Sequence, residues 1–354
     1  RQMNAFSWSN YPQNVKSVNK HAVLDLIRFA PGGISRVEIA RRLGLTRAAV
    51  TLIVNDLLES GLIREAESIN VRSGRPPVVL EINAARGYVV GIDFGATHLS
   101  VLVADLSARI LEEIETALDI QAGPKVCLAE ADRLVRETLA KAGLSLDDVL
   151  AIGVGVPGPM VTEIGMVVSP PIMPGWDRYP IRDTLEKMWG CPVSVSNDAE
   201  LGALGEWAAG AGRGERNLAY IKVGTGIGAG LLLDGQIYHG VTGSAGEIGH
   251  LTIDENGPLC TCGNHGCLEA IAGGRAIAAQ AQQAVREGKR TALAAIQPVE
   301  NITVRDVAAA ARRGDLLAQQ ILTRAGTHIG IAIAGLVNLF NPGMVIIGDG
   351  VAQT

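Results

Sequence analysis

The chain has 354 residues, 47% hydrophobic and 19% charged, with a net charge of −5. That length allows two or three domains, and that balance describes a globular rather than a disordered chain. No run approaches the roughly 18 consecutive apolar residues of a membrane span, and the start lacks a signal peptide's apolar core.

Charge divides the chain. Residues 1–86 carry 12 Lys+Arg against 7 Asp+Glu, a balance of +5, while the remainder balances at −10. A basic head on an acidic body points to a polyanion partner for the head alone. Five cysteines, an odd number with several clustered, fit a reducing cytoplasm better than a disulfide scaffold.

Residues 1–14 read as a mobile arm and 15–86 as a winged helix-turn-helix. From Asn19 to Ala30, Val23, Leu26, Ile27 and Ala30 recur at helical spacing. Pro31-Gly32-Gly33 breaks that helix. Ser35 starts a second, with Glu38 completing a capping box and Val37, Ile39, Ala40 and Leu43 supplying apolar positions. Thr46 caps a third helix that runs to Ser60, with Val50, Ile53, Val54 and Leu57 facing inward.

The opposite face of the third helix carries Arg47, Ala48, Thr51 and Asn55. With Thr46 they offer the small and hydrogen-bonding groups that a DNA major groove accepts. Leu62–Arg64 and Val78–Ile82 read as two strands of a wing. Arg72 and Arg75 at its tip could enter a minor groove or clamp phosphate. A protein-interaction domain with a solvated basic loop is the alternative.

The body reads as two lobes, 87–205 and 206–354. Tyr88–Phe94, a turn at Gly95-Ala96-Thr97 and Leu99–Leu106 form strand, tight turn and strand. Gly95 would admit a phosphate, Thr97 offers a hydroxyl, and Asp93 could hold hydrated Mg²⁺. A similar unit recurs at Ala219–Val223, Gly224-Thr225-Gly226-Ile227-Gly228 and Ala229–Leu233, which suggests duplication around a cleft. Between the two units, Cys191–Asn197 reads as a strand whose Asn197-Asp198 opens a helix through Trp207. A carboxylate at that corner, kept ionised by the helix N-terminus, could orient a sugar hydroxyl for attack on phosphorus. Asn197 or Asp198 could equally serve as a simple cap.

His250, Cys260, Cys262 and Cys267 fall within 18 residues. Three thiolates and one imidazole are the ligand set of a structural zinc, closed to substrate. A disulfide between Cys260 and Cys262, one residue apart, would be strained. Free thiols in a Gly-rich loop are the alternative.

Gly246-Glu247-Ile248-Gly249-His250 followed by Cys260-Thr-Cys262-Gly-Asn-His-Gly-Cys267-Leu-Glu269, with Gly155-Val-Pro157-Gly158-Pro159 and Asn197-Asp198 in support, resembles the ROK family. That family groups sugar-responsive repressors, uncharacterised reading frames and sugar kinases. The resemblance runs from around residue 15 to the end and implies an α/β, actin-like (ribonuclease H-like) ATPase fold with a zinc-bound loop. It assigns zinc to His250, Cys260, Cys262 and Cys267. It implies that Asn197, Asp198, Glu247, His250 and Glu269 line a sugar pocket, with Asp198 at the kinase base position. His250 could use one ring nitrogen for zinc and the other for a sugar hydroxyl.

The basic head makes the chain similar to the repressor branch. The kinase pattern Asp-x-Gly-Gly-Thr-Lys is here Asp93-Phe-Gly95-Ala96-Thr97-His98, and Asp349 stands where kinases often have glycine. Both departures weaken binding of ATP and Mg²⁺ through Asp93, Gly95, Thr97, Gly224, Thr225 and Gly226. The expected function is therefore a sugar-controlled transcriptional repressor acting as a homo-oligomer on an operator duplex. A sugar kinase with a DNA-binding head, or a repressor induced by a partner protein, are the alternatives. The Ala- and Gly-rich stretch Thr327–Leu339 could pack on another helix, within the chain or between copies. Family members continue beyond the equivalent of Thr354, so further C-terminal sequence is expected.

Overall fold

The computed structural model describes residues 15–350 apart from 31, 68–77, 162–163, 169 and 171, with backbone alone at 15–18. The expected arm (1–14) and the wing-tip arginines Arg72 and Arg75 lie outside the described residues.

In the head, α1 (Val15–Arg28), α2 (Arg36–Leu43) and α3 (Arg47–Glu59) precede a hairpin of β1 (Ile63–Glu67) and β2 (Val78–Ile82). Val23, Ile27, Ile39, Val50, Val54, Leu57, Ile63 and Leu80 close one apolar core. Thr46 caps α3 by accepting the Ala49 N–H at 3.2 Å, and Gly44 ends α2 in the left-handed region. Two local expectations need correction. Ser35 accepts the Glu38 N–H, but the Glu38 carboxylate turns away to Arg41 and Arg42, so the capping box is half made. Val37 is 56% exposed, because it sits in the first turn of α2 on the side away from the core. The first helix also starts earlier than expected and ends at Arg28.

The first lobe contains β3 (Tyr88–Phe94), β4 (His98–Asp105), β5 (Ile110–Ala117), α4 (Pro124–Lys141), β6 (Val149–Val156), the small hairpin β7 (Met160–Val161) and β8 (Met166–Val167), α5 (Ile181–Trp189) and β9 (Val193–Asn197). Its sheet runs β5-β4-β3-β6-β9, with β3–β6 and β6–β9 parallel and the other pairs antiparallel. Apolar residues of β3, β4 and β6 meet Leu128, Leu134 and Val135 of α4 in one core.

From β9 the chain enters α6 (Asp198–Ala208) and then β10 (Leu218–Val223), β11 (Ile227–Leu233), β12 (Gln236–Ile237), α7 (Leu268–Ala272), α8 (Gly274–Arg286), α9 (Val304–Arg312), α10 (Leu316–Phe340) and β13 (Met344–Gly348). The second sheet runs β12-β11-β10-β13. Strand periodicity splits its two faces. Ala219, Ile221 and Val223 join the core of α7 to α10, whereas Leu218 and Tyr220 pack with Ala203 and Trp207 of α6.

The suspected duplication is visible in the topology. In each lobe a hairpin (β3–β4, β10–β11) has a parallel neighbour beside its first strand (β6, β13). Asp93 and Lys222 hold equivalent places, each two residues before the turn glycine, Gly95 or Gly224. No helix among the described residues is long and apolar enough to cross a membrane.

Candidate functional site

The two turns and the β9–α6 corner converge on one cavity of about 120 Å³. Asn197, Asp198, Glu247, His250 and Glu269 all line it, together with Gly95, Gly224, Thr225 and Gly226. Thr97 is exposed and outside the lining. Asp93 lies behind the turn, where its carboxylate meets His98 Nε2 at 3.4 Å.

Asn197 is the N-cap of α6, its Oδ1 accepting the N–H groups of Ala199 and Glu200. Its Nδ2 donates to the Gly158 carbonyl at 3.0 Å, which fixes the Gly155–Pro159 turn beside the cavity. Asp198 points elsewhere. Its Oδ2 accepts from Lys222 Nζ at 2.6 Å, and Asp349 Oδ2 stands 3.8 Å from the same ammonium. Burial pushes the Asp198 carboxyl above its ordinary value while the Lys222 charge pulls it down. Burial also works against the Lys222 ammonium, but Asp198, Asp93 and Asp349 together hold it above the ordinary lysine value. The charge facing Asp198 is therefore Lys222, rather than the helix N-terminus alone.

The first turn shows a similar self-pairing. Burial is the largest influence on the Asp93 carboxyl and works to raise it, yet the hydrogen bond from His98 and the charges of Lys222 and His98 together outweigh it and leave the group below its ordinary range. The same bond lifts His98. A β-carbon placed on Gly95 would overlap the His98 ring, on Gly224 the Asp349 carboxylate, and on Gly226 the Glu269 carboxylate. Each turn is already covered by a side chain of this protein.

Glu269, on the first turn of α7, accepts the Ile227 N–H at 2.9 Å and so joins the second phosphate-type turn to α7. Glu247 faces His250 Nε2 at 3.8 Å. Burial raises the Glu247 carboxyl; His250 opposes that, and Glu269, Asp198 and Glu200 add repulsion. A hydroxyl-rich ligand would supply donors to these acceptors and relieve their mutual repulsion.

The loop between Leu251 and Cys267 has few apolar residues and no long element to hold it. Its chain doubles back through the pairs Thr252–Cys267 and Leu259–His265. Gly266, at φ 63°, lies so close to the Asp254 carbonyl that a side chain could not fit. The ligand atoms of His250, Cys260, Cys262 and Cys267 lie within 4.8 Å of one another. Cys260 Sγ is 3.6 Å from His250 Nδ1, and Cys262 Sγ is 3.7 Å from Cys267 Sγ. Ligands about 2.0–2.3 Å from a tetrahedral ion stand at comparable separations. All four cysteine and histidine groups could therefore hold one metal ion. With Nδ1 on the cysteine side, His250 turns Nε2 towards Glu247 and the cavity, so one ring spans both sites.

On the head, Arg47, Ala48, Thr51 and Asn55 are all exposed on one side of α3. Thr51 donates its hydroxyl to the Arg47 carbonyl at 2.8 Å. Several other basic groups are already paired: Arg36 with Glu65, Arg41 and Arg42 with Glu38, and Arg64 with Glu81. Leu52 on the same helix, 69% exposed, is assigned to neither face from the sequence, because an apolar side chain carries no hydrogen-bonding signal. Sequence reasoning missed Lys222, a lone charge in an apolar strand beside a glycine-rich turn. That pattern could have flagged it.

Comparisons with known proteins identify the family. A model of the ROK family matches residues 89–354, and one of the MarR family matches residues 17–72. The chain is 32% identical to the xylose repressor of Caldicellulosiruptor bescii over 335 residues, 95% of this chain and 84% of that protein. It is also 32% identical to the DNA-binding transcriptional repressor Mlc of Escherichia coli, over 95% of this chain and 81% of the relative. Among solved structures, a ROK family transcriptional regulator described as a homolog of E. coli MLC aligns with a TM-score of 0.79 at 31% identity, covering 96% of this chain and 84% of that one. A ROK family glucokinase from Streptomyces griseus, in complex with glucose and AMPPNP, aligns with a TM-score of 0.67 at 31% identity over 75% of this chain and 84% of its own.

Proposed function

The chain belongs to the ROK family and carries a MarR-type winged-helix head, and from that premise we propose that it is a sugar-responsive transcriptional repressor of carbohydrate genes. The observation that carries this reading is the union, in one polypeptide, of an exposed polar face on α3 with a cavity lined by Asn197, Asp198, Glu247, His250 and Glu269. Relatives named as a xylose repressor and as the repressor Mlc, similar along nearly the whole chain, support it.

In this reading Arg47, Ala48, Thr51 and Asn55 meet base edges and phosphates in a major groove, with Thr46 holding the helix end. Arg72 and Arg75 of the wing reach a neighbouring groove. Two copies read two half-sites about one helical turn apart. Zinc is the metal we assign to His250, Cys260, Cys262 and Cys267, where three sulfurs and one nitrogen suit it and exclude Mg²⁺. When bound it braces the loop. His250 then donates from Nε2 to a sugar hydroxyl, while Glu247 and Glu269 accept others. A sugar closing the lobes shifts the DNA-competent state only by its differential affinity for the two states.

A kinase carrying a DNA-binding head would need Asp198 free to take a proton, and here it is engaged by Lys222. Induction by a partner protein would leave operator affinity indifferent to free sugars.

The test uses a duplex selected from a random-sequence pool. Its affinity for the full chain should fall when one member of a pentose, hexose and N-acetylhexosamine panel is added, and the same sugar should raise Tm by mass action. Sequence-indifferent binding, or an affinity unmoved across the panel, would overturn the proposal.

A further inference from the structure

The two hairpins are topological counterparts, so Asp93 of the first lobe and Lys222 of the second occupy matching places on opposite sides of the cleft. The Lys222 side chain is 18% exposed and its partner Asp198 is 12% exposed. Asp349 completes the set from the end of β13. Its φ of 75° lies in the left-handed region that favours glycine, yet the position carries a carboxylate that rests on Gly224 and faces the ammonium. Aspartate is one of the few side chains that enter this region readily, and here its carboxylate is the group that meets the ammonium.

The Mg²⁺ and nucleotide implied by the fold family do not fit this arrangement. His98 covers Gly95, Asp349 covers Gly224, and the ammonium stands among the carboxylates that a divalent ion would need. The remaining cavity, about 120 Å³, is well below the roughly 300–1,000 Å³ of sites that enclose a drug-sized ligand.

We propose that Lys222 is a tethered cation that takes the place of a divalent metal, clasping Asp198 and Asp349 and facing Asp93 across the cleft. One covalently held charge then joins the lobes and keeps the Asp198 carboxylate occupied. Lobe closure answers to the sugar without a nucleotide or Mg²⁺. Lys222 acts through Asp198 and is a positioning residue.

The experiment needs neither sugar nor operator, so its failure is separable from failure of the regulatory reading. The zinc-loaded protein is titrated with Mn²⁺ alone, followed by Mn²⁺ electron paramagnetic resonance and by Tm. The wild type should show no saturable Mn²⁺ binding in the cleft and no Mn²⁺-dependent rise in Tm. Lys222→Thr leaves three carboxylates without their cation and should bind Mn²⁺ about tenfold or more tightly than wild type, because carboxylate charge sets divalent affinity. If threonine at 222 folds only when Mn²⁺ is present, that rescue supports the proposal equally. Lys222→Gln, which keeps a donor to Asp198 without the charge, should gain Mn²⁺ binding in the same direction. Wild-type Mn²⁺ binding as tight as that of the variants, or no gain in either variant, overturns it.

Discussion

Phe29, just past α1 of the head, and Trp207, in the last turn of α6, meet edge to face with ring centroids 4.7 Å apart and planes at 63°. The other end of α6 is Asn197-Asp198, at the cavity. An 11-residue helix, about 16 Å long at 1.5 Å per residue, thus runs from the cavity to the head. Beside the rings a groove of about 1090 Å³ separates head from body, which leaves the head room to tilt. Trp207 Nε1 donates to the Glu215 carbonyl at 2.9 Å, which orients the indole.

This relationship predicts an uncoupled variant. Trp207→Ala should retain sugar binding, read as a Tm rise, and retain operator binding. The change in operator affinity caused by sugar should shrink by about two- to tenfold, as expected from losing an aromatic pair worth about 0.5–1.5 kcal/mol. Fluorescence anisotropy with labelled duplex, with and without sugar, measures it. An unaltered sugar response would mean that the signal travels by another route.

The cysteine loop gives a second prediction. Cys262 is the most exposed of the three cluster cysteines, so Cys262→Ser should not create a core cavity. It should nevertheless abolish stoichiometric zinc, measured by elemental analysis of dialysed protein, and lower Tm by several degrees. Sugar-dependent stabilisation should be lost as well, since His250 spans both sites. Arg64→Ala, distant from the loop, should change none of these. A zinc-free Cys262→Ser protein with an intact sugar response would separate metal from sensing.

Local chemistry made much of this molecule legible in the sequence. Ser35 and Thr46 sit before apolar runs of helical period, and both cap helices as expected. The turns at Gly95 and Gly224, and the spacing of His250 with three cysteines, were equally local. What escaped is long-range. Lys222, Asp198 and Asp349 come from three separated segments, and only the pairing of β10 with β13 brings the last beside the first. Phe29 and Trp207 could each pass for ordinary core residues. Val37 fitted a helical stripe, but stripe position alone does not say whether a neighbouring element covers the first turn.

On α3, Arg47 and Asn55 should separate by kind of contact. Asn55→Ala should lose about 1–3 kcal/mol on the selected duplex and relax preference at one position, as removal of a base contact does. Arg47→Ala should weaken binding evenly across sequences and reduce the salt slope by about 1, as removal of a phosphate contact does. Binding titrations at several salt concentrations on specific and scrambled duplexes distinguish them. Equal losses on both duplexes for Asn55→Ala would remove it from base readout.

Asp105, 4% exposed at the end of β4, should set part of the acid stability of the first lobe. It accepts from Ser107 N and Oγ at 3.0 and 2.7 Å, and from Arg109 N and Nε at 3.1 and 3.0 Å, closing the turn into β5. Burial works to raise the carboxyl, but these bonds win and hold it below the ordinary 3.8. A depressed carboxyl stabilises the fold above its unfolded value, and that contribution is lost as pH falls through the folded value. Asp105→Ala should therefore cost about 1–3 kcal/mol at neutral pH, the range for leaving buried donors unpaired. The difference from wild type should narrow as pH drops below 3.8. Urea denaturation across that range reads both. A difference that persists undiminished in acid would show that Asp105 acts through shape and packing rather than through its charge.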